Sequence, residues 1–300
     1  MKKDNKLYYD LLDQAFELMN SQLGTAYTRD AIDILLTDAK NGDRDIPKFL
    51  KKFSGGYEDY MLEPGYIEQI RSQLVIAKYA CGIIARTDVD VDEPYRWRHM
   101  IIHDMCRLFL IGHEFEGGKN FYRTYCKGYA KSKIEDGQIY GGYSLWSEVA
   151  AEYLAQLVDT EMLTPTLEQN EEHAEWIVRD LKNGAFDVKE CLEALLIDCL
   201  ATKEVMFADS KEEAFEIIAE YGWLDTTYWK KLLNAVYDHL HAPEGKFWEI
   251  DIEFIKSIGS YYLGIRAELM MERIGQPIPS GDVDIEKYLR ILGEFEDEEE

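Results

Sequence analysis

Residues 7–23 read LYYDLLDQAFELMNSQL, in which Leu7, Tyr8, Leu11, Leu12, Ala15, Phe16 and Met19 recur at intervals of three and four. That spacing lines one side of a 3.6-residue turn, so the stretch predicts an amphipathic helix. The same period returns through most of the chain. Residues 28–39 carry it, with Thr28 in the N-cap place and Asn41-Gly42 as the stop. Residues 67–86 read as a further helix, bounded by Pro64-Gly65 and by a loop from Thr87 to Asp92. Asp92 then caps a helix that has Pro94 in its first turn and runs through Met100, Ile101, Met105, Leu108 and Phe109 towards Gly112. Residues 120–133 have some helical character, Asp136-Gly137 and Gly141-Gly142 punctuate a short loop or hairpin, and Ser144 or Ser147 caps a helix over 145–160. Beyond Pro165 the segments 170–183, 187–203, 210–222, 226–241, 250–274 and 284–292 are all helix-like, with little period-two alternation. The expected fold is mainly α, a multi-helix globular protein with at most a small β element.

A chain of 300 residues with 46% hydrophobic content can bury a sizeable core, which excludes wholesale disorder. Trp176, Trp223, Trp229 and Trp248, together with Tyr221, Tyr228, Tyr237, Tyr261 and Tyr262, are expected to pack that core in the second half. No Pro-, Gly- or Ser-rich linker marks a clean boundary. The expected organisation is an N-terminal region 1–163, a helical region 164–292 that either folds separately or shares its core, and an acidic tail 293–300. Five cysteines, at 81, 106, 126, 191 and 199, form no CxxC pair and read as buried thiols.

Charge narrows the partners. With 33 Lys and Arg against 58 Asp and Glu the formal net charge is −25, a field that repels a nucleic-acid backbone and suits a basic protein surface. No stretch approaches the roughly 18 apolar residues of a membrane span, and Met1-Lys2-Lys3 leads into a polar segment, so a soluble cytoplasmic protein is expected. Glu294, Glu296, Asp297, Glu298, Glu299 and Glu300 make the tail a self-repelling acidic end that either solubilises the chain or occupies a partner's basic groove.

One region carries chemistry. His103-Asp104-Met105-Cys106-Arg107 lies within the helix that starts at Pro94. Two histidines four apart on a helix can share a zinc ion, and an acid beside the first can activate the bound water. Here His103 takes the first place and Asp104 the acid's. Arg107 takes the second histidine's place, and a guanidinium has no lone pair to donate. GxSxG, GxxxxGK[ST] and GxGxxG are all absent.

The run from His103 to Lys131 resembles the zincin-type pattern of SprT-like proteins, in which HExxH or an Asp variant precedes a His-Gly and a Phe-containing helix. Gly117 stands where that third histidine would fall. Trp146 to Ala155 is similar to the glutamate-bearing helix of ImmA-like peptidases, which implies Glu148 or Glu152 as a further ligand. The resemblance covers residues 94–160, about a fifth of the chain. It implies either of two arrangements. One is a retained zinc site built from His103, His113 and Glu148 or Glu152, with Asp104 or Glu114 as the catalytic acid or base; His113 lies about 80° off the His103 face of a straight helix, so this set needs a bend near Gly112. The other, preferred here, has no metal: Arg107 replaces the cation and pairs with Glu148 or Glu152 in a structural ion pair. The corresponding function is a non-catalytic, metallopeptidase-like acidic protein that acts by protein–protein interaction. Its charge resembles that of phage or mobile-element inhibitors of nucleic-acid-binding proteins. An active zinc metallohydrolase and a purely structural scaffold are the alternatives.

Overall fold

Short oxygen-bearing side chains set the starts of the helices. Asp38, Thr166, Asp187, Ser210, Thr226 and Asp251 each accept a hydrogen bond from a backbone N–H in the first turn that follows. At Thr166 the cap is reciprocal, because the Gln169 side chain reaches back to the Thr166 N–H. The computed structural model describes residues 6–51, 72–76, 81–89, 92–125, 128–161, 164–184, 187–242 and 246–275. The acidic tail and the expected helix over 284–292 lie outside these residues. The chain divides into two compact units: residues 1–109 with 154–163, and residues 110–153 with 164–300.

The first unit contains α1 (Lys6–Leu23), β1 (Asp33–Thr37), α2 (Ala39–Leu50), β2 (Ser72–Ile76), β3 (Cys81–Arg86) and most of α3 (Pro94–His113). The strands form one sheet of order β1-β3-β2. β1 runs parallel to β3, with Asp33 opposite Gly82 and Thr37 opposite Arg86, whereas β2 is antiparallel to β3, with Ser72 opposite Ala85. Tyr8 of α1 donates its hydroxyl to the Thr87 carbonyl at 2.5 Å, and Trp97 of α3 donates its indole N–H to the Arg86 carbonyl at 2.7 Å. Helices on either side of β3 in sequence are thereby fixed to its end.

Two sequence expectations fail in this unit. Residues 33–37 are a strand where a helix was expected, and the helix starts only after Asp38; Asn41-Gly42 lies inside it. Within 67–86, the described residues 72–76 and 81–86 are strands. Both errors have one cause: a short apolar run has no readable period, and β-branched Ile34, Val75, Ile83 and Ile84 favour the pleated alternative once a sheet can bury them.

The second unit is helical. It holds η1 (Glu116–Gly118), α4 (Phe121–Thr124), most of α5 (Lys133–Val158), α6 (Leu167–Asn183), α7 (Val188–Leu200), α8 (Lys203–Met206), α9 (Lys211–Tyr221), α10 (Thr227–Leu240) and α11 (Ile252–Arg273). The expected hairpin at 136–142 is instead the first part of α5, and neither Ser144 nor Ser147 caps a helix. Packing explains the glycines. A Cβ on Gly142 would sit 2.0 Å from the Ile255 carbonyl oxygen, and one on Gly259 would sit 1.8 Å from that of Gln138. Their absence lets α5 and α11 approach backbone to backbone, at the modest cost of glycine inside a helix. At the far end of α11, Arg273 donates to the Leu181 and Lys182 carbonyls that end α6. Glu268, buried in α11, accepts from the Thr227 and Tyr228 N–H groups that start α10, both at 3.1 Å. Trp223, Trp229, Tyr228, Tyr237 and Tyr262 are buried as expected, whereas Trp248, Tyr221 and Tyr261 are half-buried and Trp176 is exposed. Cys106, Cys191 and Cys199 are buried thiols outside any disulfide, and Cys126 lies outside the described residues. Among the described residues no helix is long and apolar enough to cross a membrane.

Candidate functional site

His103, Asp104, Cys106 and Arg107 lie on the unbroken helix α3, so His103 and Arg107 are one turn apart on one face, as their spacing requires. Asp104 is buried, while His103 and Arg107 are half-buried. Cys106 faces α1, its thiol 3.7 Å from the Met19 sulfur. These four residues belong to the first unit. His113, Glu114, Glu148 and Glu152 belong to the second. α3 continues through Gly112 to His113, which is exposed at the helix end. Among the described residues no group of three or more His, Cys, Asp or Glu side chains is placed to hold a metal ion.

The first unit holds a buried arginine–carboxylate pair that the sequence did not single out. Arg98 of α3 meets Asp159 through two N–H groups, Nη2 at 2.6 Å and Nε at 3.2 Å. Its Nη1 reaches Gln14 of α1 at 3.1 Å and Glu161 at 2.9 Å. Both Arg98 and Asp159 are buried. Sixty-one positions separate the two partners, so no local pattern announces the pair.

In the second unit Glu148 and Glu152 lie one turn apart on α5. Glu148 adds a repulsive charge to Glu193 of α7, whose carboxyl is pushed up to about 6, chiefly by burial and against the pull of Lys189. Ser144 donates to Glu193 at 2.5 Å, and Lys189 donates to the Ser144 hydroxyl at 3.3 Å. Further along α7, Asp198 is pushed up to about 6 by burial despite His173, whose Nδ1 lies 2.7 Å away on α6.

The second unit also holds an acidic cleft of about 690 Å³. The end of α3 and the following turn supply His113, Glu114 and Glu116; α10 supplies His239, and the segment entering α11 supplies Glu249 and Asp251. The Glu114 carbonyl accepts the Ile250 N–H at 2.7 Å, which joins the two rims, and its carboxylate accepts the Tyr143 hydroxyl at 2.7 Å. His239 stacks on Phe254 at 4.1 Å and donates Nε2–H to the Glu249 carbonyl at 3.1 Å. Burial lowers its imidazole below the usual value, which favours the neutral ring at pH 7. Asp251 caps α11 and Glu249 pairs with Lys246 at 2.8 Å. Among the described residues no Lys or Arg side chain lines the cleft.

His113 and Glu114 were legible as candidates, but their neighbours were not. His239 and His241, two positions apart, face different neighbours: His239 stacks on Phe254, whereas His241 stacks on Tyr237 at 4.0 Å. The cleft joins His239 to residues more than a hundred positions away, which only the fold reveals. Protein-family models, curated proteins and solved structures yield no match to this chain.

Proposed function

We propose that this chain is a zincin-like protein without catalytic activity that works by binding a basic protein surface, in the manner of an inhibitor of a nucleic-acid-binding partner. The observation that carries this reading is the cleft of about 690 Å³ whose wall, among the described residues, holds four carboxylates and no Lys or Arg, in a chain of net charge −25. Such a cavity focuses negative potential and steers cationic groups towards it. Arg107 supports the absence of catalysis: on a continuous α3 it occupies the turn after His103, where a second zinc ligand would be needed.

The test combines a binding measurement with metal analysis. Titration with an oligo-arginine peptide should give saturable, salt-sensitive binding to the wild type that falls about tenfold or more when Glu116 and Glu249 are both changed to Lys. Equal affinity for both proteins would reject the cleft as the binding surface. Elemental analysis of protein purified without added metal should find no stoichiometric zinc. Stoichiometric zinc that is lost in His103→Ala would instead establish the metallohydrolase reading. Absence of both binding and metal would leave a structural scaffold.

A further inference from the structure

We draw no further inference here: the strongest candidate, the side-chain cluster of Ser144, Lys189 and Glu193 between α5 and α7, ties the two helices together, and beyond those contacts it rests only on the raised carboxyl of Glu193, which by itself names no substrate, ligand or partner.

Discussion

Arg98→Met should destabilise the first unit by about 3–5 kcal/mol, the usual cost of removing one member of a buried ion pair. The structure places the loss at the upper part of what such a site can show. Arg98 is 2% exposed and Asp159 is 0% exposed, so deleting the guanidinium leaves a carboxylate without its two N–H donors and without access to water. Gln14 of α1 loses its donor at the same time. Glu161 offers an internal contrast. It contacts the same guanidinium at 2.9 Å, but its side chain is 66% exposed, and Glu161→Gln should cost no more than about 1 kcal/mol. A double variant, Arg98→Met with Asp159→Leu, should recover most of the loss, because a buried pair replaced by apolar side chains of similar size is often neutral or stabilising. Two compact units make a single global transition an unsafe readout. Hydrogen exchange of the Trp97 indole N–H, which is buried in the first unit against the Arg86 carbonyl, reports that unit directly. A loss of less than about 1 kcal/mol in Arg98→Met, or a double variant as unstable as the single one, would refute the reasoning.

Other outcomes follow from the second unit. Glu193 holds its proton up to about 6 against an ordinary 4.5, so the native state binds a proton that the unfolded chain releases. This stabilisation is complete below about pH 4.5 and is lost as pH rises through 6, a contribution of about 2 kcal/mol that Glu193→Gln should remove from the pH dependence of thermal unfolding. Asp198, pushed up to about 6 from 3.8, has the same sign, so Asp198→Asn should flatten the profile further. Gly259→Ala should cost about 1–3 kcal/mol or more by denaturant titration, since its Cβ would overlap the Gln138 carbonyl and neither backbone can yield cheaply. Thr166→Ala should cost about 1 kcal/mol in the same measurement through loss of the reciprocal cap on α6.

In the second unit α6, α7, α9, α10 and α11 were legible because each carries a periodic stripe and a short oxygen-bearing cap, as at Thr226 and Asp251. The strands were not: five or six residues span less than two helical turns, too few for a period to show, and burial of Ile83 and Ile84 decides their conformation. Gly141-Gly142 misled for a related reason. Glycine pairs mark turns when considered locally, but here the missing side chains are required by a second helix more than a hundred residues away. The same limit governs the sites. The one-turn spacing of His103 and Arg107 is a property of one helix and was readable, whereas Arg98 with Asp159, and His239 with Glu114, are meetings of distant segments.

The acidic cleft constrains how its function can be tested. Three of its four carboxylates also serve the fold: Asp251 caps α11, Glu114 holds the Tyr143 hydroxyl, and Glu249 pairs with Lys246. Reversing Asp251 would remove the cap and place a cation against the positive end of α11, so a loss of binding there would report structure as much as charge. Glu114 is 1% exposed, and a lysine at that position would bury a new charge. Glu116 and Glu249 are exposed, and the Lys246 pair is a surface interaction worth little. Charge reversal at these two positions changes the field of the cleft by about four charges with little effect on its frame. Binding lost in that variant therefore measures the cleft's electrostatics, and unchanged hydrogen exchange at the Ile250 N–H, which bonds the Glu114 carbonyl, would confirm that the frame has survived.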